Sequence, residues 1–218
     1  MRITVFGASG AVGGRVVAEA LARGHHVTAV SRDPHRLRGL PVAVELRAGD
    51  ATDPDQVAEL SAGQDLVISA TRPSPGREYE LADVAAGLLA GLTRTGVRLL
   101  VVGGAGHLTV PGADGRHLIE MPDFPPHLLP IALACHAQLR LFQAAAAEPD
   151  GGPVDWAYLS PPAALEPGER LGEYRTGTSE LVTTDTGASF ISLEDFAVAL
   201  LDEAEHPKHH RTRFTVGY

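Results

Sequence analysis

The chain opens with an apolar segment, a cluster of glycines and a helix-like segment, and this combination restricts the possible fold most strongly. Residues 2–6 are mostly β-branched or aromatic, which is typical of a short buried strand. Gly7, Gly10 and Gly13 then interrupt the apolar run with G-x-x-G-x-x-G spacing. Apolar residues next recur at helical spacing, at Val16, Val17, Ala20 and Leu21. A strand, a glycine turn and a helix in this order predict the start of a βαβ nucleotide-binding unit.

Each of the three glycines has a separate physical reason in that interpretation. Gly7 permits a sharp exit from the strand, Gly10 lets the backbone approach a pyrophosphate, and Gly13 allows close packing of helix and sheet. The phosphates would lie at the helix N-terminus, where free N–H groups and the helix dipole attract negative charge. The alternative is a surface loop with chance glycines, since 24 of the 218 residues are glycine. The flanking strand and helix favour the nucleotide site.

The rest of the chain alternates predicted strands and helices. Further strands are expected at 25–31, 42–47, 65–71, 97–102, 155–160 and 211–216. Helices are expected from Pro34, over 54–60, over 77–94, over 131–147 and over 193–204, with Asp33, Asp53 and Ser192 as N-caps. This alternation predicts an α/β fold, a Rossmann-like doubly wound parallel sheet, as a single domain over residues 1–218.

Two irregular insertions, 104–130 and 165–189, interrupt this alternation. Within the second insertion, residues 180–184 have the composition of a short strand. Loops of such length in a compact domain are usually functional or mobile. We expect the two insertions to form a small layer that covers the substrate side of the domain.

Charge and cysteine content exclude several classes of partner. The formal net charge of −9 argues against nonspecific binding to nucleic acid or to an anionic membrane, since both require a positive surface. One cysteine, Cys135, excludes an internal disulfide and is compatible with a reducing cytosol. No signal segment precedes the first strand, and the uncharged stretch 125–139 contains prolines and histidines, unlike a transmembrane helix. We expect a cytoplasmic monomer or homodimer whose partner is a small molecule.

Arg32 and Asp33 follow the second predicted strand, about 20 residues beyond the glycines, where the choice between NAD and NADP is made. An acid at this place binds the ribose 2′-hydroxyl of NAD, and an arginine binds the 2′-phosphate of NADP. Arg32 can donate two N–H groups to a phosphate, with Arg36 or Arg38 in support, whereas Asp33 is needed as a helix cap. The sequence therefore favours NADP, and a solvated surface charge is the alternative for Arg32.

Further cofactor contacts are expected at the carboxyl ends of the strands, where open α/β sheets bind ligands. Asp50 can accept a hydrogen bond from the adenine amino group, and a turn-forming aspartate is the alternative. Small residues that end the fourth and fifth strands can line the nicotinamide ribose, although tight strand exits need the same residues, and Pro161 can lie behind the nicotinamide ring. The predicted cofactor-binding residues are Gly7, Ala8, Ser9, Gly10, Ala11, Val12, Gly13, Arg32, Asp50, Ala51, Ser69, Ala70, Thr71, Gly103, Gly104 and Pro161.

The glycine turn resembles that of the short-chain dehydrogenase/reductase superfamily, whose glycines have this looser spacing. Standard members use a Tyr-x-x-x-Lys pair, in which the lysine lowers the tyrosine pKa for proton exchange with an alcohol or ketone. The only lysine here is Lys208, and the residue four positions before it is Ala204. The helix in which the pair belongs carries His136 and Arg140 instead. Alcohol–ketone chemistry is therefore not expected.

Longer segments resemble atypical members of this superfamily that carry an NAD(P)-binding domain. These members are NmrA-like proteins, biliverdin reductase B-like flavin reductases and bacterial NADH-flavin reductases. The matching segments are GASGAVG, LLVVGGAGHL, VDWAYLSPPAALEPGERLGEYR and ISLEDFAVALLDEAEHPKHHRTRFTVGY. The last two segments look like the bacterial flavin-reductase-like branch. The resemblance implies NADPH-dependent hydride transfer to a flat conjugated acceptor, such as a quinone or a flavin, with FMN or FAD as substrate.

Such acceptors take up hydride with little assistance, so the enzyme contributes mainly stacking and positioning. His136 is the leading candidate for a proton donor or substrate contact, because its unperturbed pKa lies near neutrality. Tyr158 is the second candidate, and a structural role is the alternative for both residues. Trp156 is expected in the core.

Metal binding is not expected. His107, His117, His127 and His136 are separated by ten, ten and nine residues, which matches none of the tight ligand pairs of metal sites. Two other functions stay open from the residues alone. One is a non-catalytic NmrA-like redox sensor that binds NADP(H), and the other is an isomerase or tailoring enzyme of a biosynthetic pathway.

Overall fold

The computed structural model describes residues 1–148 and 151–218. Short 3₁₀ turns occur at Pro34–Leu37, Leu118–Glu120 and Pro126–Leu128. The strands are β1 (Arg2–Phe6), β2 (His26–Ser31), β3 (Glu45–Ala48), β4 (Leu66–Ser69), β5 (Arg98–Val102), β6 (Trp156–Ser160), β7 (Ala164–Glu166), β8 (Arg175–Gly177), β9 (Phe190–Ser192) and β10 (Thr212–Gly217). The helices are α1 (Ala11–Ala22), α2 (Pro54–Ser61), α3 (Glu80–Thr93), α4 (Leu129–Ala146) and α5 (Leu193–Glu205).

Eight of the strands form one sheet in the order β3-β2-β1-β4-β5-β6-β10-β8. Strands β1 to β6 and β10 run parallel, and β8 pairs antiparallel with β10 at one edge. The chain runs outward from β1 to β3 and then returns to β4 on the other side of β1, which creates the switch point of a doubly wound sheet. The predicted Rossmann-like α/β fold is confirmed. Strands β7 and β9 form a separate two-stranded sheet.

Helices cover both faces of the large sheet. Helices α1 and α5 pack together on one face, over a core that includes Ile3, Val5 and Phe196. Helices α2, α3 and α4 cover the other face, over a core that includes Trp156 and Phe142. Trp156 is 1% exposed and its ring centroid lies 5.5 Å from that of Phe142, so the expected core position of Trp156 is confirmed. Burial of each large apolar side chain contributes about 1.5–3 kcal/mol.

The predicted N-caps form, although one of the predicted helices is shorter than a full helix. Asp53 accepts hydrogen bonds from the backbone N–H groups of Asp55 and Gln56 at the start of α2. Ser192 Oγ accepts from the N–H of Asp195 at the start of α5. Asp33 caps only the single 3₁₀ turn Pro34–Leu37.

Two strand positions differ from the prediction. Residues 41–44 turn rather than extend, since the N–H of Val44 donates to the carbonyl of Pro41, and β3 therefore begins only at Glu45. Residues 180–184 do not form a regular strand. The N–H of Leu181 donates to the carbonyl of Thr109 in the first insertion, and it is β8 that pairs with β10. The two insertions therefore contact each other directly.

Candidate functional site

A cleft opens at the carboxyl ends of β1, β2, β3 and β4, beside the switch point. Its lining brings together half of the predicted cofactor residues, namely Gly7, Ser9, Gly10, Arg32, Asp50, Ala51, Ala70 and Thr71. Arg36 also lines the cleft, whereas Arg38 does not. The lining also contains residues that the sequence did not predict, namely Phe6, Val30, Ser31, Gly49, Thr52, Arg72, Pro73, Glu80 and Val84. Arg72 directly follows Thr71, so it could have been predicted from the rule that open α/β sheets bind ligands at the carboxyl ends of their strands. No local pattern in the sequence indicates Glu80.

Several predicted cofactor residues lie outside this lining. These are Ala8, Ala11, Val12, Gly13, Ser69, Gly103, Gly104 and Pro161. A Cβ atom on Gly103 would lie 1.9 Å from the Tyr158 ring, and one on Gly104 would lie 2.9 Å from the Cβ of Cys135. Both glycines therefore allow the end of β5 to pack closely against Tyr158 and α4.

The glycine turn between β1 and α1 is shaped by contacts of the backbone with itself. Gly7 has a φ of +77°, and a Cβ there would lie 2.4 Å from the carbonyl oxygen of Ala70. A Cβ on Gly13 would lie 2.2 Å from the carbonyl oxygen of Gly7. The nearest atom to a Cβ on Gly10 is 3.3 Å away. The protein's own packing thus requires Gly7 and Gly13, while a Cβ on Gly10 would meet only the carbonyl oxygen of Gly7 within 4 Å, and Gly10 lines the cleft.

The N-terminus of α1 is free to bind an anion. Gly10 is the N-cap and supplies no side-chain acceptor, and the first turn contains no acidic residue. The first N–H groups of a helix have no partner within the helix, and the helix dipole makes this end positive. A diphosphate at this position would receive those hydrogen bonds.

Arginine side chains and one buried carboxylate form the outer wall of the cleft. Arg32 Nη1 lies 3.2 Å from Glu80 Oε2, and Arg77 pairs with the other oxygen of the same carboxylate. Glu80 is 7% exposed, whereas both arginines are more than half exposed at their side chains. Glu80 therefore holds two solvent-exposed guanidinium groups beside the cleft, and Arg36 and Arg72 also line this cleft.

Asp50 forms the turn that follows β3 while it lines the cleft. Its Oδ1 accepts hydrogen bonds from the N–H and the hydroxyl of Thr52, at 3.0 and 2.9 Å. The N–H of Asp50 donates to Gln56 Oε1 at 3.0 Å. Asp50 therefore does form the turn that was the alternative explanation for it, and it also lines the cleft.

Three histidines that are distant in sequence come together beside α4. The rings of His107 and His136 are stacked, with centroids 3.7 Å apart, and the His117 ring lies 5.6 Å from that of His107. Burial, followed by the charges of His136, His117 and Arg213, lowers the pKa of His107 to about 4. Burial, followed by the charge of Arg140, lowers the pKa of His136. In the described ranges, no group of three His, Cys, Asp or Glu side chains is arranged to hold a metal ion.

Tyr158 is enclosed between the sheet and α4. It is 1% exposed, and its hydroxyl donates to the carbonyl of Cys135 at 2.9 Å. Burial raises its pKa well above the ordinary value, so the hydroxyl keeps its proton. Burial also raises the pKa of Cys135 to about 11. The Tyr158 hydroxyl therefore connects β6 to α4, away from the cleft lining.

No helix among the described residues is long and apolar enough to cross a membrane.

Three solved bacterial structures resemble the chain over its whole length. A Burkholderia pseudomallei structure named "putative exported protein" is 38% identical with a TM-score of 0.87, and the match covers 100% of both chains. A Bacteroides thetaiotaomicron structure named "putative epimerase" is also 38% identical with a TM-score of 0.87, over 100% of this chain and 96% of the other. A Streptococcus pneumoniae structure named "putative NADH-flavin reductase" is 29% identical with a TM-score of 0.83, over 100% and 99%.

A family model described as NAD(P)H-binding matches residues 7–207, which include the glycine turn and all of the residues that line the cleft except Phe6. The chain therefore belongs to the family described as NAD(P)H-binding.

Proposed function

We propose that this chain is an NADPH-dependent reductase that transfers hydride to a flat conjugated acceptor, such as a flavin or a quinone. The observation that carries the proposal is that the glycine turn, the uncapped N-terminus of α1 and Arg32 meet in one cleft at the switch point. Supporting evidence comes from the NAD(P)H-binding family match and from the S. pneumoniae relative named as a putative NADH-flavin reductase.

The residues present fit the cofactor. Gly10 has no side chain and lines the cleft, so a diphosphate can approach the backbone next to the first turn of α1, where no acidic residue opposes it. Arg32, with Arg36 beside it in the lining, can bind a 2′-phosphate with paired N–H donors. Asp50 can accept from the adenine amino group through the oxygen that the Thr52 turn does not use. These contacts favour NADPH over NADH.

When bound, NADPH supplies a hydride to the acceptor, which takes one further proton from water or a side chain, and NADP⁺ remains. The chain's own residues orient the two flat molecules and exclude water. We propose that His136 transfers a proton to the acceptor. Its lowered pKa keeps the imidazole neutral at pH 7, so the proton that it passes on would come from water. Tyr158 has no part in this scheme, because its hydroxyl is buried against Cys135.

Loss of NADPH absorbance at about 340 nm tests the proposal directly. The purified protein is mixed with NADPH and either FMN or a naphthoquinone, and bleaching that depends on both protein and acceptor is expected. NADPH binding without any bleaching, across flavins and quinones, would contradict the reductase function. Comparable affinity for NADP⁺ and NADPH in that case would favour the redox-sensor alternative.

An epimerase reaction is the second candidate, because a 38% identical structure carries the name "putative epimerase". It would use the same cofactor site but would leave no net oxidation of NADPH. Helix α4 carries His136 and Arg140 four residues apart, which is the spacing of the tyrosine and lysine in a standard member. The net consumption of NADPH with an acceptor therefore separates the two candidates.

We also infer a cytoplasmic location, because a single cysteine suits a reducing compartment. The B. pseudomallei relative named as a putative exported protein is the observation against it. Fractionation of cells that express the tagged chain, followed by immunoblotting, would decide the question, and recovery outside the cytoplasmic fraction would overturn the inference.

A further inference from the structure

A group of buried polar atoms at the carboxyl ends of β6 and β10 lacks hydrogen-bond partners within residues 1–148 and 151–218. Ser160 Oγ and Thr215 Oγ1 belong to fully buried residues, and Thr215 lies opposite Ser160 in the strand register. His136 Nδ1 is a third buried atom without a partner in these ranges. Most buried polar groups in proteins are hydrogen-bonded, so a concentration of unsatisfied ones indicates a missing ligand or water.

The alternation of side chains along the strands places these atoms on one face of the sheet. In the register of β6 and β10, Arg213 lies opposite Tyr158, two residues before Thr215 and Ser160. Residues two apart in a strand share a face. The Tyr158 hydroxyl reaches the carbonyl of Cys135 in α4, so this is the face that α4 covers. His136 follows Cys135 in the same helix.

Arg213 adds an uncompensated positive charge to this face. A guanidinium has five N–H donors, and the hydrogen bond of Arg213 within the described residues is from Nη1 to the carbonyl of His107, at 3.0 Å. No carboxylate in the described part of the chain pairs with it. By contrast, Arg98 in the same half of the sheet pairs with both Asp155 and Glu203.

The surroundings of Arg213 are also cationic or able to become so. The carbonyl of His107 accepts a hydrogen bond from Arg213, the ring of His107 stacks on that of His136, and the centroid of the His117 ring lies 5.6 Å from that of His107. Arg140 acts on His136 from the same helix. Among the described residues, Glu120 is the acid that acts on His107. Because the pKa values of His107 and His136 are lowered, the positive charge here at neutral pH comes mainly from Arg213 and Arg140, and the unsatisfied atoms can all donate hydrogen bonds.

We propose that Arg213, Ser160, Thr215 and His136 form a subsite for an anionic substituent of the acceptor, either a carboxylate or a phosphate. A guanidinium matches two oxygens of either group, and the two hydroxyls and the imidazole supply further donors. The subsite lies at the carboxyl end of the sheet, where ligands bind in this fold. That the bound anion belongs to a hydride acceptor rests on the reductase function proposed above. Binding of an anion at the subsite does not depend on turnover.

Two pairs of compounds with a shared ring system test the subsite and distinguish its two ligand sources. Riboflavin is compared with FMN, which adds a phosphate, and a naphthoquinone is compared with its carboxylated analogue. Dissociation constants are measured with NADP⁺-loaded protein by quenching of flavin or protein fluorescence, so no reaction is needed. We expect at least one anionic member to bind about tenfold more tightly than its neutral partner. The pair that shows the preference identifies phosphate or carboxylate.

Variants connect the preference to the named residues. Arg213→Gln is expected to bring the ratio of neutral to anionic dissociation constants close to one, with little change for the neutral compound. The double variant Ser160→Ala/Thr215→Val, which keeps the shape of the buried face, is expected to lower the ratio severalfold and guards against misfolding of the arginine variant. Arg38→Gln is the matched control, since Arg38 is an exposed arginine outside both this group and the cleft lining, and it should preserve the preference.

Three outcomes overturn the subsite. They are equal binding of neutral and anionic members in both pairs, a preference that survives in both variants, and binding of none of the four compounds by protein that binds NADP⁺. A clear preference without NADPH oxidation would instead contradict the reductase function and leave the anion subsite in place.

Discussion

The two halves of the sheet assemble their ligand-facing residues in different ways. In the half that contains β1 to β4, which we call the cofactor half, a loop follows each strand, and the lining of the cleft comes mainly from these loops. In the half that contains β5, β6 and β10, which we call the acceptor half because we propose that it binds the acceptor, the candidate residues come from the insertion after β5, from α4 and from β6 and β10. The first half relies on backbone geometry at Gly7 and Gly13, and the second on side chains brought together by packing.

This difference has a physical consequence for substitution. Backbone N–H groups at a helix end bind any diphosphate whichever side chains surround them, provided that the turn keeps its shape. A cluster of stacked rings and buried hydroxyls depends on each side chain and can change its ligand by a few substitutions. We therefore expect substitutions in the proposed acceptor half, rather than in the cofactor half, to change which substrate is bound.

The largest effect is expected at the glycine turn. In Gly13→Ala, the added Cβ would lie 2.2 Å from the carbonyl oxygen of Gly7 and would displace the turn. NADPH binding is expected to weaken at least about 100-fold, with a loss of about 2–3 kcal/mol of stability. Gly14→Ala is the matched control, because its nearest contact is an ordinary 3.7 Å. Calorimetry would measure the NADPH affinity of both variants, and thermal unfolding would measure their stability. Equal affinity and stability of the two variants would contradict the claim that the cofactor half relies on backbone geometry at Gly13.

A smaller and more selective effect is expected at the outer wall of the cleft. Arg32→Ala should weaken NADPH binding about 10- to 100-fold and NADH binding less than about twofold, because only NADPH carries the 2′-phosphate. Arg38→Ala, outside the cleft lining, should change neither. The measurement is a pair of titrations with the reduced coenzymes. Parallel losses for NADPH and NADH would place the phosphate elsewhere.

The acceptor half should determine how stability depends on mild acid. The pKa of His107 is about 4 in the folded protein, against 6.5 as its ordinary value, so the unfolded chain takes up the proton first. The free energy of unfolding should therefore fall as the pH decreases from about 6.5 to 4. The full shift corresponds to about 3 kcal/mol, and solvent screening of this partly exposed ring reduces the expected fall to about 2 kcal/mol.

Denaturant unfolding of the wild-type protein and of His107→Gln at several pH values measures this contribution. Between about pH 6.5 and 4, the free energy of unfolding of the variant should fall less steeply than that of the wild type. His35→Gln, at an exposed histidine of the cofactor half, should reproduce the wild-type curve. A decline of unchanged depth in the His107 variant would assign the pH dependence to other groups.

The smallest effect is expected at Tyr158. Tyr158→Phe removes the hydrogen bond to the carbonyl of Cys135 and should cost about 1 kcal/mol of stability, with kcat unchanged within about twofold. Tyr79→Phe, at a residue that is 65% exposed, is the control and should change neither quantity. Thermal unfolding and steady-state kinetics decide the point. A tenfold loss of kcat at full stability would return Tyr158 to the catalytic role that its sequence position suggested.

Local patterns predicted much of the fold, because the signals that start and end its elements lie within a few residues. Asp53 before Pro54 predicted the start of α2, and the glycine spacing predicted the turn before α1. The strand predicted at 180–184 failed because pairing, not composition, decides which segment joins a sheet edge. Residues 175–177 reach β10, while Leu181 bonds to Thr109 instead.

The site was less accessible to the sequence, because its contacts join residues far apart in the chain. Glu80 meets Arg32 across 48 positions, and Arg213 meets His107 across 106. No periodicity or motif specifies such pairs. The histidine spacings argued against a metal site, but the ring-on-ring stack of His107 and His136 could not be inferred from them.

The strand order leaves β3 and β8 as the two outer strands, and both are poor templates for further strand pairing. Unpaired N–H and C=O groups at a sheet margin invite aggregation unless charge or shortness protects them. All four residues of β3 are exposed, and Arg47 on this strand forms ion pairs with Glu45 and Glu59. On β8, only three residues long, Arg175 donates to carbonyl oxygens of its own chain. Continuation of the sheet into a neighbouring molecule is therefore disfavoured at both margins.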